Sequence, residues 1–375
     1  MGLLAGALPD FPWDSLVPCA ERARAHPDGI VDLSVGTPVD PTPAVVREAL
    51  AAAANAPGYP TTHGTTALRE AVVTWFARRR GVPDLDPWAV LPTVGSKELV
   101  ALLPSLLGLG AGDVVVHPEI AYPTYDVGAR LAGATPLPSD DVEVWAGRSD
   151  VRLVWLNSPG NPHGQVRDVD ELRRVVEAAR QIGAVVASDE CYALLPWEEP
   201  WLSTGVPSVL DPAVARGSHE GLLAVHSLSK QSNLAGYRAA FVAGDPALVG
   251  RLLEVRKHAG MIVPAPVQAA MVAALGDDEH VAEQHDRYRR RRESLLAGFA
   301  AAGFEVDPSP AGLYLWVRAP GVGQDCWQTV ADLAELGILV APGAFYGPAA
   351  ERHVRVALTA PDEAVARAAA RLAGA

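Results

Sequence analysis

From about residue 90 onward, short unbroken apolar runs alternate with longer stretches in which apolar residues recur every three or four positions. The runs at 90–94, 113–117, 151–157, 184–189, 222–226 and 239–243 read as strands buried on both faces, since a half-exposed strand would alternate apolar with polar. Residues 168–182 place Leu172, Val175, Val176 and Ala179 on one helical face, and similar stretches separate most of the strands. Alternating strand and helix with continuous apolar strands predicts an α/β protein with a mostly parallel, doubly covered sheet. Ligands of such sheets sit beyond the carboxyl ends of the strands.

The flanking regions differ. Before residue 43 the chain is rich in Pro and turn formers, predicting an arm, a short helix over 15–26 and one strand ending at Gly36. Thr42-Pro43 predicts the cap and first turn of a helix over 44–55. Residues 58–64 read as a loop, after which Thr65 and Thr66 cap a helix carrying Leu68, Val72, Trp75 and Phe76. Residues 247–303 read as long helices, with the charged run 287–293 as a solvated face. Strands at 313–318, 338–341 and 353–358 alternate with helices at 325–336 and 361–373.

Composition narrows the class. At 375 residues the chain is too long for one small core. Its formal charge of −13 leaves no basic footprint, so neither nucleic acid nor an anionic membrane is expected as a partner. Cys19, Cys191 and Cys326 are scattered, with no CxxC, so neither a disulfide framework nor a zinc site is expected. A packing role is expected for Cys191. The apolar stretch 99–111 is interrupted by Pro104 and is too short to span a bilayer. Residues 1–10 lack the positive start of a secretory signal, and a cytoplasmic location is expected.

The most informative stretch is Ser227-Leu-Ser-Lys-Gln-Ser-Asn-Leu-Ala-Gly-Tyr-Arg238. It places Lys230 in the turn between two apolar strands, facing a cleft. A buried lysine has a depressed pKa and becomes a nucleophile towards carbonyls. Ser227 and Arg238 can hold a phosphate, the arginine through its forked donors. A Schiff-base lysine beside a phosphate cup is what pyridoxal phosphate (PLP) requires. Gly95-Ser96-Lys97 opens a helix after a strand, an arrangement that meets phosphate through backbone N–H groups but also occurs as a plain cap. Tyr122, just past a strand end, either stacks on a ring or packs under a loop. The turns of Asn157-Ser-Pro-Gly-Asn161-Pro-His-Gly164 fix an amide at a strand end. Asp189 at the next strand end either caps a helix or meets a cation such as a protonated pyridine nitrogen.

Together these motifs resemble, in order and over nearly the whole chain from Gly36 to Arg355, the class I/II aminotransferases of PLP fold type I. The resemblance implies a large domain, residues 43–265, with a mostly parallel seven-stranded sheet. A small α+β domain would be shared by residues 1–42, which include the arm, and 266–375. It implies Lys230 as the cofactor-carrying, proton-shuttling lysine and Asp189 on the ring nitrogen. Asn161 and Tyr192 would meet the ring oxygen, and Tyr122 the ring face. Gly95, Ser96, Lys97, Ser227 and Arg238 would form the phosphate cup. Arg355, with Gly36 and Asn161, would take the substrate carboxylate. Tyr59 would reach the phosphate of a neighbouring subunit, implying a homodimer with shared sites. Residues 342–347 resemble a family turn beside the site.

Outside this core, residues 8–13, 32–40, 58–64 and 256–266 most resemble actinobacterial N-succinyldiaminopimelate aminotransferases of lysine and diaminopimelate synthesis. The implied exchange is between N-succinyl-LL-2,6-diaminopimelate with 2-oxoglutarate and N-succinyl-2-amino-6-oxopimelate with glutamate. His63, Lys257 and His258 are candidates for the far end of so long a polyanion. An aminotransferase for aspartate, aromatic or LL-diaminopimelate substrates, or a PLP-dependent carbon–sulfur lyase, would share the same core.

Overall fold

The structure is a computed structural model that describes residues 8–319, 321 and 323–374. Residues 1–7 of the N-terminal stretch read above for a signal lie outside it. Strand β1 (Val31–Asp32) comes first. The large sheet follows: β2 (Val90–Val94), β3 (Val114–His117), β4 (Thr135–Pro138), β5 (Val151–Asn157), β6 (Val185–Asp189), β7 (Leu222–Ser227) and β8 (Ala239–Gly244). The C-terminal strands are β9 (Glu305–Asp307), β10 (Tyr314–Arg318), β11 (Ile338–Leu339), β12 (Ala341–Pro342) and β13 (His353–Ala357).

The large sheet has seven strands in the order β2-β8-β7-β6-β5-β3-β4. Only β8 runs against its neighbours, pairing antiparallel with both β2 and β7. Along these strands, alternate residues enter opposite cores. Val114, Val116, Val154, Leu156 and Phe241 pack with Trp75 and Phe76 on one side. Val115, Leu153, Trp155, Val225 and Val242 pack with Leu99 and Tyr125 on the other. This two-sided burial is why the strands read as unbroken apolar runs. Strand β4 was not expected: Thr135-Pro-Leu-Pro138 holds two prolines, tolerable only because it is the sheet edge.

The C-terminal strands form a second sheet, β12-β13-β10-β9, and β1 pairs in parallel with β11. The single strand expected over 338–341 is therefore divided at Val340 between two sheets.

Helix ends follow local chemistry. Asp168 and Glu171 form a reciprocal capping box at the start of the helix Val169–Ile182, and Gly183 ends it at φ 69°. Thr42 does not cap its helix as expected. Pro43 takes the cap position without a side-chain bond, and the Thr42 hydroxyl instead donates to the Asn233 carbonyl at 3.3 Å. The charged run 287–293 is not wholly solvated either. Arg291 is buried, bonded to Asp40 and Asp362.

Candidate active site

The reversed strand β8 creates the site's polar end. Because β8 lies between β2 and β7 and runs the other way, its start falls beside their ends. Gly95 and Ser96 after β2, Ser227 ending β7, and Arg238 before β8 therefore converge. Gly95 stands at φ 79°, and a Cβ there would lie 2.1 Å from Arg238 Nη2, so only glycine fits. Its N–H donates to the Arg238 carbonyl at 2.8 Å. The helix Ser96–Leu106 starts here with Gly95 as cap, aiming free backbone N–H groups at the cavity. Ser227 donates to the Ser229 hydroxyl at 2.8 Å, putting a second serine beside it.

On the other side of β7, strands β6 and β5 end in register with Asp189 opposite Asn157. Asn157 donates to the carbonyls of Asp189 and Pro159 and accepts from the Asn161 N–H at 2.8 Å, fixing the loop that carries Asn161. Burial pushes the Asp189 carboxyl above its usual range, while donors from Cys191 and Tyr125 oppose the shift. The Tyr125 hydroxyl donates to Asp189 Oδ2 at 2.9 Å. A buried carboxylate with one side open to a cavity is suited to a cationic partner.

Lys230 lies in a short helical turn, Leu228–Gln231, rather than a bare loop. Its ammonium donates to the Gly36 carbonyl. Burial lowers its pKa to about 8, and the charges of Arg355 and Arg238 push the same way. Arg355, on β13, is 2 % exposed. It donates to Asn161 Oδ1 at 3.1 Å and to the Ser34 carbonyl at 2.6 Å. Its Nε has no hydrogen-bond partner among the described residues, and its guanidinium lies 4.1 Å from the Tyr314 ring centre. Among the described residues it pairs with no carboxylate.

These groups share one cavity of about 470 Å³. Gly36, Ser96, Lys97, Tyr122, Asn161, Asp189, Tyr192, Ser227, Lys230, Arg238 and Arg355 all line it. Cys191 lines it too, buried. The Lys97 ammonium does not lie among the Gly95–Arg238 contacts. It sits 5.6 Å from the Phe11 ring and 5.7 Å from the Tyr122 ring. Tyr59 stands apart, fully exposed. The three candidates for a substrate's far end are absent from the lining. His63 bonds to Arg69 at 2.8 Å, and Lys257 pairs with Glu254 at 2.6 Å.

Several lining residues had not been singled out: Phe11, Trp13, Val35, Ser229 and Tyr314. Tyr314 touches three expected groups. Its hydroxyl is 3.2 Å from that of Tyr192, its ring stacks on Arg355, and a Cβ on Gly36 would strike its hydroxyl at 2.2 Å. Nothing around Tyr314 in sequence signals this, because the contacts come from three distant segments.

The set matches a phosphorylated pyridine. Helix N–H groups, hydroxyls and Arg238 suit a phosphate, Asp189 a cationic ring nitrogen, and Lys230 an aldehyde. The family description "Aminotransferase class I and II" matches residues 28–372. The transaminase OxyQ of Streptomyces rimosus, named for 4-dedimethylamino-4-oxo-anhydrotetracycline, is 59 % identical over 97 % of this chain and 99 % of its own. The probable aminotransferase Rv1178 of Mycobacterium tuberculosis is 59 % identical over 99 % of this chain and 87 % of its own. Among solved structures, a probable N-succinyldiaminopimelate aminotransferase from Thermus thermophilus aligns with TM-score 0.85 and 31 % identity, over 97 % of this chain and 100 % of that one.

Proposed function

Because the chain belongs to the class I and II aminotransferases, a family that works with PLP, we propose that it exchanges the amino group of N-succinyl-LL-2,6-diaminopimelate with the keto group of 2-oxoglutarate. The chemistry that bound PLP supplies is an electron sink, which acidifies the substrate Cα–H and stores the amino group between half-reactions. In this reading Asp189 holds the ring nitrogen, Asn161 and Tyr192 the ring oxygen, and Tyr122 a ring face. Gly95, Ser96, Ser227 and Arg238 hold the phosphate, with the backbone of Lys97. Lys230, with a pKa of about 8, is poised near neutral pH to take the Cα proton and give it back.

The observation that carries the reading is Arg355: a buried guanidinium with no carboxylate partner among the described residues, in the same cavity as Lys230. An unpaired buried cation is costly, and a substrate α-carboxylate would satisfy it. Gly36 and Asn161 lie beside it to complete that contact. Lys97, flanked by rings and paired with no carboxylate among the described residues, supplies a second cation for a far carboxylate. That pairing favours a dicarboxylic substrate, as does the name of the T. thermophilus relative. The exposed Tyr59 belongs, in this reading, to the neighbouring site of a homodimer.

The likeness to OxyQ favours a second reading, in which the amino acceptor is a ketone on a flat polycyclic ring. Phe11, Trp13, Tyr122 and Tyr314 line the cavity with aromatic faces suited to stacking such a ring. The test is a half-reaction on PLP-loaded protein, following loss of the cofactor's visible absorbance with a panel of amino donors. Fast reaction with glutamate and N-succinyl-LL-2,6-diaminopimelate, and slow reaction with free LL-diaminopimelate, aspartate and phenylalanine, is the expected result. Reaction with glutamate but not with the succinylated diamine would sink the first reading and favour the ring ketone.

A further inference from the structure

The helix Glu279–Ala301 places Gln284, Tyr288 and Arg291 four and three residues apart, hence on one face. That face touches two parts of the site at once. Tyr288 donates to the Lys230 carbonyl at 3.3 Å. Gln284 accepts from Asn233, in the same loop as Lys230, at 2.9 Å and donates to Asp40 at 2.8 Å. Arg291 grips both oxygens of Asp40, at 2.8 and 2.6 Å. Burial works against ionisation at Asp40, but the bonds from Arg291 and Gln284 outweigh it and hold the carboxyl below its usual range.

Asp40 ends a strap that crosses the site. The strap's inner end is sewn into the sheets: the Leu33 N–H donates to the Leu339 carbonyl, and the Leu33 carbonyl accepts from Ala357, both at 2.8 Å. Between these ends the strap gives carbonyls to two of the site's cations, Ser34 to Arg355 and Gly36 to Lys230. Val35, Thr37 and Val39 are exposed, so the outer half has little apolar packing of its own.

We propose that the Asp40–Arg291 pair is the outer anchor of strap 34–40, and that this anchor sets affinity for the substrate carboxylate. Resting on the aminotransfer reading above, it makes Asp40 and Arg291 positioning residues, since neither lines the cavity. An anchored strap meets an incoming carboxylate with Gly36 already seated against Tyr314. A frayed one must be ordered at the moment of binding, which weakens affinity. Asp189 ends β6 and Lys230 sits in the turn directly after β7, so on this proposal the chemical step should change far less than carboxylate affinity.

The experiment compares PLP-loaded wild type with Asp40→Asn, Arg291→Lys and Asp362→Asn. The last removes the other carboxylate on Arg291, at 2.5 Å, without touching the strap. Amide exchange over residues 34–40, KM and kcat for glutamate, and the absorbance of bound cofactor are measured on each. Asp40→Asn is expected to raise both strap exchange and KM about tenfold, with kcat and the absorbance nearly unchanged. Arg291→Lys, which keeps the charge but loses the fork, should fall between, and Asp362→Asn should match wild type. An unchanged KM in Asp40→Asn would overturn the proposal. So would an equal rise in Asp362→Asn, which would mean that the pair only seats the helix. A wild type inert to glutamate would instead count against the aminotransfer reading, with strap exchange still deciding the anchor.

Discussion

The inner wall of the cavity and its mouth are built on different terms. The inner wall consists of strand ends: Asn157, Asp189 and Ser227, with Arg238 entering β8. Backbone pairing sets their spacing, and second residues fix most of them, as Tyr125 fixes Asp189. The mouth is made by Phe11, Trp13, Lys97 and Val35, drawn from an arm, a helix start and the strap. There Phe11 is 55 % exposed, and the Lys97 cation lies over two ring faces. A sheet can hold reacting groups to fractions of an ångström, whereas an arm adapts to the bulk of what enters. Under the proposed function the wall would carry the chemistry and the mouth the choice of substrate, so damage to the two should look different.

The largest effect is expected at Lys230. Lys230→Ala should lower transamination about ten-thousandfold, because in the proposed function this one residue would supply both the nucleophile and the proton carrier. The variant should also lack the visible absorbance of the lysine-bound cofactor. Transamination at the wild-type rate would place the chemistry elsewhere. Next comes Arg355, where replacement by Met removes a buried charge-assisted contact. A loss of about 3–4 kcal/mol in kcat/KM is expected for every α-carboxylate substrate. Steady-state kinetics with several donors checks this, since a loss confined to dicarboxylates would move Arg355 from wall to mouth.

The same contrast governs what could be read from sequence. Six of the seven strands of the large sheet were legible because burial on both faces imposes unbroken apolar runs, and the residues at their ends followed; the half-exposed edge strand β4, with its two prolines, was not. Tyr125 and Tyr314 were not, because a tyrosine's hydrogen bond to a residue 64 or 122 positions away leaves no local pattern. Arg291 was misread for a related reason. In a run of charges nothing local separates the one arginine facing a buried carboxylate from its solvated neighbours. Lys97, expected in the phosphate cup, lines the cavity, but its ammonium lies over the Phe11 and Tyr122 rings rather than among the Gly95–Arg238 contacts. Helix position specifies where a side chain starts, not where its four-carbon stem ends.

Behind the inner wall, His226 should make stability depend on pH. It is fully buried, bonded to the Glu190 carbonyl at 3.0 Å and to Gln231 at 2.8 Å. Burial lowers its pKa from 6.5 to about 4, against the opposing bond from Gln231. Between those values the unfolded chain binds a proton that the folded chain refuses, so stability must fall as pH drops through this window. The loss should approach about 3 kcal/mol near pH 4. Denaturant unfolding at stepped pH, wild type against His226→Gln, isolates the contribution. Parallel curves would mean that the imidazole charges within the fold.

The smallest effect is expected at the mouth. Phe11 touches Lys97 through its ring at 5.6 Å and Trp13 at 5.8 Å, and an exposed cation–ring contact is worth only about 0.5–1 kcal/mol. Phe11→Ala should therefore change KM for a dicarboxylic substrate by about threefold and leave kcat and the cofactor absorbance as they were. If Phe11 acts by steadying the Lys97 ammonium, then Lys97→Met should remove most of its effect. The double variant would then be no worse than Lys97→Met alone. Additive losses would mean that Phe11 contacts the substrate itself, as stacking on a flat ring would require. A fall in kcat of tenfold or more would erase the contrast, because the arm would then belong with the wall that holds the reacting groups.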